Sequence, residues 1–131
     1  MSLTLIKEDG TGRSDANSYA SVADADAYHD GHLYASAWTA ATTPNKEKAL
    51  VMATRLIDGE YQFNGVKANE TQALQWPREA CRDVDNEEGW VESDVVPVCV
   101  KDATCELARA LLIVDRTAAP EGEGLKYDNT G

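Results

Sequence analysis

Residues 71–78 read T-Q-A-L-Q-W-P-R, and a tryptophan followed by a proline stands near the end of this run. A residue before a proline is disfavoured in the α region, so a helix that begins near Asn69 must end by Trp76. Trp76 is then placed to wedge between two helices, and the charge of Arg78 needs a partner. We interpret Trp76, Pro77 and Arg78, called the Trp-Pro corner below, as a structural corner that closes a helical core.

The clearest helical pattern precedes this corner. Thr43 is a capping residue and Pro44 suits the first helical position, so we expect a helix over residues 44–58 that ends at Gly59. Its apolar residues recur at helical spacing and predict one buried face: Ala49, Leu50, Ala53, Leu56 and Ile57.

A second long helix is predicted after the corner, over residues 97–115, with Pro97 at its start. Leu112 and Ile113 widen its apolar stripe, and a stripe this wide predicts burial on two sides. The helix would lie either at the centre of the core or partly against a neighbouring subunit. The residues assigned to this core and candidate interface are Val100, Ala103, Leu107, Leu111 and Val114, and Ala110 continues the stripe.

The N-terminal part predicts an arm and a loop. Residues 3–6 fit a short strand or an extended arm, and the D-G-T-G run at 9–12 fits a turn. Its glycines begin like a phosphate-binding loop, but no third glycine and no P-loop lysine follow. We therefore expect 1–18 to be an extended arm and loop.

Three shorter elements complete the pattern. Ser21 and Asp24 have the spacing of a capping box, so a short helix begins there and Gly31 ends it. The alanine-rich link at 33–41 fits a helical turn, and the acidic segment at 81–93 fits a small hairpin.

The predicted fold is mainly α, a small helical bundle with short extended or hairpin segments. The 131 residues suit a single domain with a modest core. We expect residues 1–116 to form this domain. In 117–131, Pro120, Gly122 and Gly124 break all periodicity, which predicts a flexible C-terminal tail.

Composition limits the classes of partner. The chain has 23 acidic and 12 basic residues, a formal net charge of −11, and the basic residues are dispersed along it. Such a chain repels nucleic-acid phosphates unless folding gathers its cations into one patch. The three cysteines form no even disulfide framework, and no apolar run has membrane-spanning length, so we expect a soluble protein in a reducing compartment.

Chemical motifs are scarce. His29 and His32 form the only local cluster of metal-ligand types, but Gly31 separates them and no third ligand has a recognisable spacing. We interpret both as surface or capping histidines and expect no metal, no cofactor and no catalytic site. A small hydrolase that uses His29 or His32 ranks last among the hypotheses.

Nucleic-acid binding is the other chemical candidate. Single-strand binders combine stacking aromatic side chains with basic grooves. Trp76, Arg78 and Arg82 are the one place in the sequence where both occur together. Core packing is the preferred interpretation of Trp76, because such aromatic side chains dominate cores.

Several phrases occur together in one order over roughly residues 8–115: E-D-G-T-G, N-S-Y-A-S-V-A-D-A-D-A-Y-H, A-T-R-L-I-D-G-E-Y, Q-A-L-Q-W-P-R and P-V-C-V-K-D-A-T-C-E-L-A-R-A-L-L. This order resembles a family of small tailed-bacteriophage and prophage proteins often labelled DnaT-like single-stranded-DNA-binding. These proteins are similar to head–tail connectors, also called adaptors or head-completion proteins.

The resemblance implies a virion structural protein without catalysis, made in the host bacterial cytoplasm and placed at the head–tail junction. It implies a ring of about twelve copies beneath the portal, joined to a neck or tail-completion protein. In such a ring Trp76, Pro77 and Arg78 would hold the core and form a candidate subunit interface. DNA would pass through its acidic channel without specific binding, and no membrane is involved. The alternative takes the label literally, as a single-stranded-DNA-binding replication accessory that uses Trp76, Arg78 and Arg82.

Overall fold

The computed structural model describes residues 3–61, 63, 66–79 and 94–113. In these ranges the chain is mainly helical, which confirms the predicted fold class. Its elements in chain order are α1 (Val22–Asp30), α2 (Ser36–Thr39), α3 (Thr43–Glu60), β1 (Val66–Lys67), β2 (Arg78–Glu79) and α4 (Val98–Ile113). None of these helices is long and apolar enough to cross a membrane.

Some predictions fall on parts of the chain outside the described residues. They concern Arg82, Val114, the hairpin at 81–93 and the tail at 117–131. These stay predictions.

The capping box predicted for α1 is confirmed. The Ser21 hydroxyl accepts the Asp24 backbone N–H at 3.1 Å, and the Asp24 carboxylate accepts the Ser21 N–H at 3.0 Å. The helix ends at Asp30, and the N–H of Gly31 donates to the carbonyl of Tyr28 at 3.3 Å. Because both ends depend on neighbouring residues alone, local sequence was enough to place them.

Helix α3 is longer than predicted at both ends. Thr42 rather than Thr43 is the N-cap, since its hydroxyl accepts a backbone N–H three residues further on, and Pro44 lies in the first turn. Gly59 does not end the helix, which continues through Glu60. Gly59 is not among the glycines with positive φ, the conformation that a C-capping glycine adopts.

The buried face of α4 is rotated from the predicted stripe. Ala103 is exposed and Leu107 and Leu111 are half-buried, so the assignment of Ala103 to the core is wrong. The residues that are buried are Val100, Thr104, Cys105 and Ala108. The Thr104 hydroxyl donates to the Val100 carbonyl at 2.8 Å, so a polar residue that an apolar count excludes can occupy the core.

The predicted N-terminal arm pairs with the segment just before α1. The N–H of Glu8 donates to the Ser18 carbonyl at 2.8 Å, and the N–H of Asn17 donates to the Ile6 carbonyl at 2.9 Å. Further along, β1 and β2 pair antiparallel with Lys67 opposite Arg78. The second pairing attaches the Trp-Pro corner to the segment that follows α3.

The buried apolar side chains of the described residues form two clusters. The first contains Ala16, Tyr19, Ile57, Leu74, Trp76, Val96 and Val100. The second contains Ala20, Ala25, Trp38, Ala49, Leu50, Ala53, Cys105 and Ala108. Half-buried Leu107 packs against both. Trp76 therefore packs in one cluster with residues of α3 and α4, the wedge position predicted for it.

Candidate functional site

The Trp-Pro corner is buried and hydrogen-bonded to the core. Trp76 is 4% exposed, Arg78 is 7% exposed, and the Trp76–Pro77 peptide bond is cis. The Trp76 backbone N–H donates to the Tyr19 hydroxyl at 3.1 Å, and that hydroxyl donates to Asp58 at 2.5 Å. Burial and the neighbouring Asp58 raise the pKa of Tyr19, so it stays a neutral donor and joins the corner to α3.

The charge of Arg78 has partners within the subunit. Its guanidinium donates to the backbone and side-chain oxygens of Gln75 at 3.2 and 2.9 Å, and to the Phe63 carbonyl at 3.3 Å. Its central carbon lies 5.9 Å from the Phe63 ring centroid and 6.0 Å from that of Trp76. Base stacking requires an accessible ring face. In this arrangement neither Trp76 nor Arg78 is open to a nucleic acid.

An open apolar groove lies between the end of α3 and α4. Its volume is about 640 Å³. It is lined by Ile57, Tyr61, Phe63, Cys99, Val100, Ala103, Glu106, Leu107, Arg109 and Ala110, and we call it the α3–α4 groove. Three residues predicted as a candidate interface, Val100, Ala103 and Leu107, line it together. The second side of the wide α4 stripe is therefore an open surface of the subunit.

Polar side chains cluster at the groove residues Glu106 and Arg109. The Arg109 guanidinium is hydrogen-bonded to Glu106 and holds the pKa of that carboxyl below its usual range. The Tyr28 hydroxyl donates to Glu106 at 2.8 Å, and this bond raises the pKa of Tyr28 to about 12. Arg109 also donates to the Tyr34 carbonyl at 3.5 Å, and His32 lies 3.5 Å from Glu106. The turn after α1 therefore lies beside the groove.

The interpretation of His29 as a surface or capping residue is wrong. His29 is 2% exposed, and its Nε2 lies 2.9 Å from the Cys105 carbonyl oxygen. His32 is half-buried, and its Nδ1 accepts the Tyr34 backbone N–H at 2.9 Å. Among the described residues, no group of three or more His, Cys, Asp and Glu side chains is placed to hold a metal ion.

Four of the nine lysine and arginine side chains in the described ranges are paired with a carboxylate. The ion pairs are Lys7–Asp24 at 2.7 Å, Arg13–Asp15 at 2.9 Å, Lys46–Asp26 at 3.0 Å and Arg109–Glu106. The described cations that lie outside these pairs and outside the Trp-Pro corner are Lys48, Arg55, Lys67 and Lys101. Ion pairs thus neutralise four of the described cations and leave four others outside such pairs.

A comparison with protein families gives a match over nearly the whole chain. The model of the family described as "Putative DnaT-like ssDNA binding protein" matches residues 3–124. The chain belongs to this family. No curated protein and no solved structure gives a significant match. The resemblance drawn from the sequence phrases is confirmed as far as this family, and the match does not bear on a head–tail connector.

One structural feature of this family member escaped the sequence analysis. The carboxylate of Glu8, which is 1% exposed, accepts the backbone N–H groups of Gly10, Gly12 and Arg13, each at 2.8 Å. A Cβ on Gly10 would lie 2.1 Å from the Asp94 carbonyl oxygen, and its φ is +102°. The glycines therefore serve a cradle of backbone donors that the chain's own carboxylate fills. The G-x-G pattern that begins two residues after Glu8 was the available signal.

The groove has a weaker signal in the sequence. Tyr61, Phe63 and Cys99 line it, and they come from segments that sequence periodicity treats separately. Only the unusual width of the α4 stripe pointed to a second apolar surface.

Proposed function

We propose that this protein is a self-assembling structural subunit without catalysis, a head-to-tail adaptor that forms a ring beneath a phage portal and meets a neck or tail-completion protein. The observation that carries the proposal is the α3–α4 groove. Its apolar lining is open in the subunit, and contiguous apolar surface of this kind is typical of sites for protein partners. The resemblance of the sequence to connector proteins supports the ring arrangement.

Several side chains of the groove expose apolar surface that a partner could bury. Ala103 is exposed, Tyr61 is 62% exposed and Leu107 is half-buried. Removing apolar area from water contributes roughly 25 cal/mol for each Å². A partner that covers this surface would therefore add stability that the isolated subunit lacks.

We propose a second copy of the chain as the occupant. Leu33 and Tyr34, 85% and 76% exposed, are the most exposed large apolar residues in the described part of the chain. Each subunit thus carries both an apolar projection, at Leu33 and Tyr34, and an apolar recess, the α3–α4 groove. A ring requires two complementary patches on every copy, because its head-to-tail contact joins one patch of a subunit to a different patch of the next.

Cys99 makes the groove testable. Its thiol is exposed in the groove, whereas burial raises the pKa of Cys105 to about 12 and leaves it unreactive. In a Cys81→Ser background, we expect a maleimide to label Cys99 rapidly in dilute protein. Labelling should slow in concentrated protein, or with portal protein, in step with the oligomer mass measured by native mass spectrometry.

A glutamate placed in the groove tests whether the groove is the assembly site, and the same substitution elsewhere is its control. Ala103→Glu should prevent the assembly and restore rapid Cys99 labelling, while circular dichroism shows a folded subunit. Ala27→Glu places the same charge on an exposed alanine of α1, outside the groove, and should assemble normally. A subunit that stays monomeric with and without portal, with Cys99 always open, would reject the proposal.

Single-stranded-DNA binding is the second candidate, and the family description favours it directly. In the described structure this function would use surface cations such as Lys48 and Arg55 instead of the buried Trp76 and Arg78. The test is fluorescence anisotropy of a labelled oligothymidine at moderate ionic strength. Binding that is weakened by Lys48→Glu with Arg55→Glu, while Ala103→Glu binds normally, would establish this function in place of the adaptor.

A further inference from the structure

His29 joins the end of α1 to the middle of α4. Its Nε2 lies 2.9 Å from the carbonyl oxygen of Cys105. A carbonyl oxygen can only accept, so Nε2 carries the proton and Nδ1 of the neutral ring is an unprotonated acceptor. That Nδ1 is buried and has no hydrogen-bond partner among the described residues.

The protonated form of the His29 ring is unfavourable in this site. Protonation creates a donor at Nδ1, for which the described part of the chain places no acceptor in this buried site, and it adds a charge there. Burial lowers the pKa of His29; the bond to the Cys105 carbonyl and the charge of Glu106 act in the opposite direction but do not outweigh it. The site is therefore built for the neutral imidazole.

The neighbouring side chains offer no compensation at Nδ1. The rings nearest to His29 belong to Tyr28, Trp38 and His32, with centroids 5.0, 5.2 and 5.9 Å away. The titratable and charged groups around His29 come from every element packed against it. On α1 and its turn they are Asp26, Tyr28 and His32, and on α4 they are Cys105, Glu106 and Arg109. Lys46 of α3 lies over the ring of Trp38 in α2. The carboxylates among them are already bonded, Asp26 to Trp38 and Lys46 and Glu106 to Tyr28 and Arg109.

We propose that His29 is an acid-sensitive latch, which fastens α1 and the following turn to α4 when neutral and releases them when protonated. The latch stands on the buried ring, its one bond across the two helices and its unpartnered nitrogen. It is independent of the function proposed above.

The direction of the pH effect follows from linkage. The unfolded chain binds a proton to this imidazole near the ordinary value of 6.5, whereas the folded chain does so only at lower pH. Stability from His29 is thus complete above 6.5 and falls as the pH drops below it, until the folded state also takes up the proton. Within that window the unfolded chain binds one proton more than the folded chain, so the unfolding constant rises about tenfold for each unit by which the pH falls.

The experiment compares urea unfolding of the wild-type protein and His29→Gln between neutral and mildly acidic pH. Glutamine keeps a donor for the Cys105 carbonyl and does not titrate. We expect the unfolding constant of the wild type, relative to that of His29→Gln, to rise up to about tenfold for each pH unit below 6.5.

A second measurement avoids any variant. Imidazole ¹H–¹⁵N spectra of the wild type should show His29 as the Nε2–H form and still neutral at a pH where the unfolded chain is half-protonated. The indole signal of Trp38 should change as His29 finally titrates. A ratio of unfolding constants that is flat with pH, or a His29 that titrates at the ordinary value with α1 still packed on α4, would overturn the latch.

Discussion

At the scale of single residues, the chain depends on polar groups that are buried with their partners. Tyr19 illustrates this, since its hydroxyl accepts from the Trp76 N–H and donates to Asp58. Nothing in the residues around Tyr19 indicates these partners, which lie 39 and 57 positions further along the chain. Sequence reasoning recognised the importance of the Trp-Pro corner but could not find what holds it.

Removing the Tyr19 hydroxyl measures that contribution. Tyr19→Phe keeps the ring but leaves the Trp76 N–H and the Asp58 carboxylate without this partner, so we expect a loss of about 1–3 kcal/mol in the free energy of unfolding. Urea titration followed by tryptophan fluorescence gives the value. Tyr34→Phe, at an exposed tyrosine, should change it by less than about 0.5 kcal/mol. Equal losses in both variants would show that the network stabilises nothing.

At the scale of elements, local signals predicted more than long-range ones. The α1 capping box and the helical turn at α2 were correct, and α3 was misplaced by only one residue at its cap, because caps depend on residues within one turn. The orientation of α4 was wrong because a count of apolar residues cannot know that Thr104 satisfies its own hydroxyl. The residues left on the opposite face, such as Ala103, then became the wall of a groove.

The same limit applies to the contacts between elements. The bond from His29 to Cys105 spans 76 positions, and the burial of His29 follows from the packing of α1 against α4. A histidine in an aspartate-rich helix gives no local indication of burial. The latch proposed for His29 depends on how α1 packs against α4, so the residues next to His29 in sequence could not predict it.

At the scale of the whole molecule, net charge is the property that separates the two candidate functions. Each copy carries a formal charge of −11, so copies repel one another in a ring and each repels DNA. An apolar groove supplies attraction that salt does not weaken, whereas the repulsion between copies is screened within about 10 Å at 0.1 M salt. Binding to single-stranded DNA depends instead on the attraction between its phosphates and a few surface cations of the protein.

The two functions therefore respond to salt in opposite directions. Raising the salt from about 50 mM to about 500 mM should strengthen self-association through the α3–α4 groove, because screening removes the repulsion between copies. Over the same tenfold range, affinity for a single strand should fall about fivefold for each phosphate contact. Light scattering and oligonucleotide anisotropy on one preparation measure both, and Ala103→Glu separates the effect of the groove from that of bulk charge. Association that weakens with salt and persists in Ala103→Glu would exclude the groove as the site of assembly.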